Sequence, residues 1–307
     1  GTTAISNDNP VATKKDTAKA AIDSALREKE AAIDANNDLT TEEKNAAKAD
    51  AQAKANAAKT AIDNATTNVA VDSAQTAGTT SVSSVMPTAV AKPAAKKAIE
   101  DALKAKVAQL DARNDLTTEE KEAAKADAQA RATAAKNNID TATTNSTVDN
   151  AKTTGVADVE SVNPQASQKK TDAKNAVDEA LKAKEAEIDA NNDLTAEEKS
   201  KAKEDAKSKA DVAKQAIDNA TTNDAVTQAK NAGATSVDSV TPTPVAKPAA
   251  KQAIDDALKA KNDAIDANND LTDEEKAKAK EDAKAKADAA KQAIDNATTN
   301  DAVEQAK

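Results

Sequence analysis

The sequence predicts an all-α protein made of four tandem three-helix bundles joined end to end into an elongated rod. Three observations predict it. One block of about 77 residues recurs four times. The composition is built from helix formers and lacks the aromatics of an ordinary core. The same helix-start signal appears once per block.

The repeat is the first thing to establish, because missing it would misassign the fold. Asn-Asp-Leu-Thr stands at Asn37–Thr40, Asn114–Thr117, Asn192–Thr195 and Asn269–Thr272, and Ile62, Ile139, Ile217 and Ile294 keep the same steps. So do Gly1, Gly78, Gly155 and Gly233, which suggest frames of 1–77, 78–154, 155–232 and 233–307. The one extra residue lies between Val162 and Val177, in a connector with Pro164, Gln165 and Ser167. A link absorbs an insertion at small cost.

Each block reads as helices A, B and C. Helix A spans about Lys15 to Ala35 and sets Ala18, Ile22, Ala25, Leu26 and Ile33 on one face. Ile99, Leu103 and Leu110, then Val177, Leu181 and Ile188, then Ile254, Leu258 and Ile265 take the equivalent places. Steps of four and seven mark an amphipathic helix. Asn36 and Asn37 end it, since asparagine tolerates the left-handed conformation.

Helix B opens at Thr40 with a capping box to Glu43, repeated at Thr117/Glu120, Thr195/Glu198 and Thr272/Glu275. Its buried stripe is Ala47, Ala51, Ala55, Ala58, Ile62 and Ala65, small enough to let helix backbones approach closely. Helix C follows Thr67-Asn68, carries Val71 and Ala74, and is expected to stop at the next glycine. Segments such as Gly78–Pro87 and Gly233–Pro242 then read as extended connectors, with Pro93 and Pro248 in the first turn of the following helix. Three antiparallel helices let the chain enter and leave a bundle at opposite ends. At about 1.5 Å per residue, four such bundles reach roughly 150–200 Å.

Composition limits the chemistry. Phe, Tyr, Trp, His and Cys are absent, Met86 is the one methionine, and Val, Ile and Leu together supply 38 of 307 residues. Carboxylate pairs such as Glu42/Glu43 and Glu274/Glu275 are explained by capping, and no catalytic residue, cofactor site or metal site is assigned. Asp34-Ala35-Asn36-Asn37-Asp38 resembles a calcium loop, but the glycine and glutamate positions hold Leu39 and Asn45, and Arg113 replaces a ligand in the second copy. The net charge of −10 is interleaved, which argues against nucleic acid, and no long apolar run exists to cross a membrane. Lys-rich faces, with pairs such as Glu281/Lys284, Asp205/Lys209 and Asp282/Lys286, read as solvated surface. A disordered protective chain would show a short 11-residue pattern instead of this long one.

Ala-Ile-Asp-Asn-Ala-Thr-Thr-Asn (61–68, 216–223, 293–300) and Asn-Asp-Leu-Thr-x-Glu-Glu-Lys carry a resemblance. They are similar to the tandem helical repeats of unknown function in staphylococcal cell-wall-anchored surface proteins such as SasC and FmtB. The layout also resembles three-helix FIVAR and GA modules. The resemblance implies an extracellular spacer that projects an adhesive domain from the cell wall, as part of a longer chain, in proteins linked to aggregation and biofilm. It leaves a binding module as the alternative. The expected partners are neighbouring repeats of the same chain and, weakly, neighbouring rods. No enzyme activity, small-molecule substrate or membrane is expected.

Overall fold

The computed structural model describes residues 10–307, with side chains from residue 13 onward. Gly1, which opens the first expected frame, lies outside them. Among the described residues every regular element is a helix. The first bundle is α1 (Pro10–Ala35), α2 (Thr41–Asn64) and α3 (Asn68–Ser83). The second is α4 (Ala91–Asp111), α5 (Thr118–Thr141) and α6 (Asn145–Glu160). The third is α7 (Gln168–Ala190), α8 (Ala196–Asn219) and α9 (Asn223–Asp238). The fourth is α10 (Ala246–Ala267), α11 (Asp273–Asn296) and α12 (Asn300–Ala306). The chain divides into two compact units, one made of the residues up to Arg113 together with Lys121–Pro164, the other of Asn114–Glu120 with Gln165–Lys307.

The capping box forms in all four copies. Glu43 N donates to Thr40 Oγ1 at 3.3 Å while Thr40 N donates to Glu43 Oε2 at 2.9 Å. The same reciprocal pair recurs at Thr117/Glu120, Thr195/Glu198 and Thr272/Glu275. Two amides that the helix itself leaves unpaired are satisfied this way.

The core of the first bundle is the expected stripe. Ala18, Ile22, Leu26 and Ile33 of α1 meet Ala47, Ala51, Ala55, Ala58 and Ile62 of α2. Alanines on α2 bury little area each, so the aliphatics opposite them supply most of the hydrophobic gain. Three rings of ion pairs tie the first helix to the second in every bundle. Lys48–Asp34 recurs as Lys125–Asp111, Lys203–Asp189 and Lys280–Asp266. Lys59–Asp23 recurs as Lys136–Glu100, Lys214–Asp178 and Lys291–Asp255, and Lys19–Asp63 as Lys96–Asp140, Lys174–Asp218 and Lys251–Asp295. Their carboxylates are largely solvated, so these pairs add little stability and serve chiefly to fix register. Of the pairs expected along single helices, Asp205/Lys209 forms at 3.9 Å, whereas Lys284 reaches forward to Asp288 and not back to Glu281.

Three expectations need correction. Helix C does not stop at the glycine. Helix α3 runs through Gly78 to Ser83, α6 through Gly155 and α9 through Gly233, so frames that begin at the glycines cut a helix. The run expected to be extended instead buries Val82 and Val85, and equivalently Val159, Val162, Val237 and Val240. The glycine is required by close approach. A Cβ at Gly78 would lie 2.5 Å from Ala58 Cβ and 2.7 Å from Ile22 Cδ1. Second, helix α1 does not end through a left-handed residue, since no described residue has positive φ. Asn36 turns the chain by accepting the Asp38 amide on its side chain, and Asn191 and Asn268 do the same for Asp193 and Asp270. Third, the lysines are not all solvated. Lys92, Lys170, Lys184 and Lys247 are 4–5% exposed.

Candidate functional site at the repeat junctions

The buried lysines lead to the feature that sets how one bundle meets the next. In the first unit, Lys92 stands in the first turn of α4. Its ammonium donates to Asn37 O, in the α1–α2 turn of the bundle before, at 2.8 Å, and to Asp140 O, at the end of α5, at 2.6 Å. Both carbonyls belong to chain leaving a helix, where the partial charge is negative and a cation is favoured. Lys15 holds the matching place in the first bundle and donates to Asp63 O at 2.8 Å.

Glu43 does the reverse at helix starts. Its Oε2 closes the capping box of α2, while its Oε1 accepts the amides of Val90 at 2.9 Å and Ala91 at 3.0 Å. Val90 is the N-cap of α4 and has no side-chain acceptor of its own. The glutamate of one bundle therefore caps a helix in the next. Glu42 Oε2 accepts the Asn145 amide at the start of α6, and Thr41 donates both its amide and its hydroxyl to Thr143 O. Burial pushes the Glu43 carboxyl up, but the amides of Ala91, Thr40 and Val90, with the Thr40 hydroxyl, outweigh it and hold the group below its ordinary value.

The second unit repeats the arrangement. Glu198 Oε1 accepts from Val245 N and Ala246 N, and Lys247 donates to Asn192 O and Asp295 O. Glu197 accepts the Asn300 amide, and Ala196 N donates to Thr298 O. Glu198 is held low by the same opposition: burial raises it and the amides of Thr195, Ala246 and Val245 more than compensate. Amides also hold Glu197 low, that of Asn300 foremost.

The segment Asn114–Glu120 of that unit uses a variant. Lys170 donates to Asn114 O and Asp218 O, Glu119 accepts the Asn223 amide, and Thr118 N donates to Thr221 O. Glu120 Oε1, however, accepts from the hydroxyl of Ser167 at 2.9 Å, and Ser167 itself caps α7 by accepting the Lys170 amide. The extra residue of this connector lets the helix start one position earlier relative to its lysine, with a cap of its own. The insertion is thus a packed part of the junction and not slack in a link.

Sequence reasoning read Glu42/Glu43 and their copies as caps alone, and missed both their second role and the lysines. The signal was available in the fixed register of Lys15, Lys92, Lys170 and Lys247, spaced 77, 78 and 77. The calcium-like run is a turn in which Asp34 pairs with Lys48 and its carbonyl accepts from Lys44. Among the described residues no group of three or more His, Cys, Asp or Glu side chains is placed to hold a metal ion.

The family described as Domain of Unknown Function (DUF1542) matches four times, over residues 14–90, 91–167, 169–245 and 246–307. The chain belongs to this family. The second DUF1542 match takes in three whole helices and the connector after them, and the first and third begin within the first turns of α1 and α7, so the family's frame follows the bundles more closely than the glycine frame does. The chain is 32% identical over 206 residues to the Extracellular matrix-binding protein EbhA of Staphylococcus aureus strain Newman, covering 67% of this chain and 6% of that protein. It is equally similar to the Extracellular matrix-binding protein ebh of strain NCTC 8325 / PS 47, of which it covers 2%. The chain thus spans only a small part of the relatives it matches, and those relatives are named as matrix-binding proteins and not as enzymes. A crystal structure of EbhA (756–1003 domain) from Staphylococcus aureus aligns over 94% of this chain and 98% of that one at 17% identity. Its TM-score of 0.23 is too low to carry an argument. No helix among the described residues is long and apolar enough to cross a membrane.

Proposed function

We propose that these DUF1542 repeats are a structural spacer, a stalk segment of an extracellular, cell-wall-anchored protein that holds a distal adhesive domain away from the wall. The observation that carries the reading is the junction. A spacer transmits position only if successive bundles are held in fixed register, and Glu43 with Lys92, and Glu198 with Lys247, supply that register from side chains at equivalent positions. The folding unit in this proposal is the three-helix bundle with its following connector, and the units stack into a rod. Catalytic, cofactor and metal sites have no part in it, nor do nucleic acid, membrane or a small-molecule substrate. Neighbouring repeats are the principal partners, with weak association between neighbouring rods.

A binding module is the second reading. It is favoured by the names of the relatives and by an open cleft of about 570 Å³ beside the connector at Thr241, Pro242 and Val245. Against it, binding hot spots are enriched in Trp, Tyr and Arg, and this chain has no aromatics and three arginines, Arg27, Arg113 and Arg131. Surface plasmon resonance of the chain over a panel of serum and extracellular-matrix proteins separates the two. The spacer reading expects no saturable ligand tighter than about 1 μM, near −8 kcal/mol. A saturable sub-micromolar ligand gives the role to binding.

A further inference from the structure

The junctions at Glu43 and Glu198 have a chemical asymmetry that a plain spacer does not need. Across the junction, the Oε1 of each carboxylate faces only N–H donors. Glu43 accepts from Thr40, Val90 and Ala91, and Glu198 from Thr195, Val245 and Ala246. No ammonium is bonded to either. Helices α4 and α10 have no side-chain cap besides this one. We propose that Glu43 and Glu198 are acid-released pins. As carboxylates they fix the next bundle's first helix, and once protonated they free that bundle to pivot while both bundles stay folded.

The charged surroundings leave the switch to these groups. On the glutamate's own helix, Glu42 is engaged with Asn145 N, Lys44 with Asp34 O, and Asp50 lines the same cleft. The connector contributes only Val85, Met86, Pro87 and Thr88 there. From α4, Lys92 is engaged with two carbonyls. Around Glu198 the arrangement matches: Glu197 serves Asn300 N, Lys199 serves Asp189 O, Lys247 serves two carbonyls, and Lys201 and Asp205 line the cleft together.

Protonation removes the charge that strengthens these amide bonds, and on Oε1, which already accepts two amides, it sets an O–H donor against an N–H donor so that one of them is lost. Lys92 and Lys247 keep their carbonyls, which makes them the pivot. The contact at Glu120 is different in kind. Its partner is the Ser167 hydroxyl, which can donate or accept, and not a pair of backbone amides.

The sign follows from the lowered carboxyl. A glutamate held below its ordinary value stabilises the junction above that value, and the contribution is lost as pH falls through the depressed one. The pin is closed at neutral pH and opens in acid below about pH 4.3, the free glutamate value.

The chain has no cysteine, so labels can be placed at will. Spin labels at Ala53→Cys and Ala130→Cys, both exposed and at equivalent places in α2 and α5 of the first unit, report the distance between bundles by pulsed electron resonance. The width of that distance distribution should grow roughly twofold between neutral pH and about pH 3, with helical ellipticity retained. Glu43→Gln should already be broad at neutral pH and insensitive to acid. Glutamine keeps the capping box, which accepts Gln at this position, but it sets an amide donor against the same N–H groups. A wild-type distribution that stays narrow in acid while the chain is folded overturns the proposal. So does a Glu43→Gln chain as narrow as wild type at neutral pH, an outcome readable even if acid unfolds the protein.

Discussion

Replacing Gly78 by alanine tests the packing that the helix count conceals. Helix propensity alone favours the change, by about 1 kcal/mol in a helix interior. The structure opposes it. The new Cβ would stand 2.5 Å from Ala58 Cβ and 2.7 Å from Ile22 Cδ1, where ordinary contact begins near 3.4 Å. Ile22 can turn only within a fully buried site, and Ala58 Cβ is fixed to the α2 backbone, so α2 and α3 must separate. Overpacking of this kind costs about 1–3 kcal/mol. Contact at backbone-bound atoms puts it at the upper end, for a net loss of about 1–2 kcal/mol, or a 5- to 30-fold rise in the open fraction. Hydrogen exchange by mass spectrometry on the whole chain reads this locally, with α8 and α9 as the internal reference. Peptides from α2 and α3 should exchange faster by that factor, and adding Ala58→Gly should recover part of it. Slower exchange in Gly78→Ala would mean that propensity wins, and the close helix approach would be wrong.

The other expectations concern the core and the junction. Ile62 is fully buried among Leu26, Val71 and the alanine stripe, so Ile62→Ala should cost about 2–5 kcal/mol. Thermal circular dichroism should then show about a quarter of the helical signal lost at lower temperature, and unchanged melting would refute the buried face. Lys92→Met leaves Asn37 O and Asp140 O without their donor in a buried place, at a cost of about 1–3 kcal/mol. Faster exchange at the end of α5 and the start of α4, with the middle of α2 unchanged, checks it; uniform destabilisation would count against a local junction role.

The helices that pack along their whole length were legible because their pattern is long and periodic. Ile22, Leu26 and Ile33 against Ala47, Ala51, Ala55 and Ile62 define a face without any structural knowledge. The second half of α3 was missed because Thr79, Thr80, Ser81 and Gly78 have poor helix propensity, which tertiary packing overrides. Continuing the steps from Val71 and Ala74 through Gly78 to Val82 and Val85 would have found it. Asn36 signalled a helix end correctly, but by its side chain and not by its backbone. The junction was illegible for a different reason. Glu43 shows its local role three residues away, while its second role lies 47 residues on at Val90 and exists only once two bundles meet. Position-specific lysines in otherwise exchangeable Lys-rich helices were the one trace left in the sequence.

The proposed spacer role requires these bundles to stack into a rod, and small-angle X-ray scattering of the chain at neutral pH tests that most directly. A rod of four bundles about 150–200 Å long has a radius of gyration of roughly 43–58 Å, its length divided by the square root of twelve. The account predicts that value with a cross-section matching a single three-helix bundle. A radius near the roughly 20 Å of a compact globule of this length would contradict it.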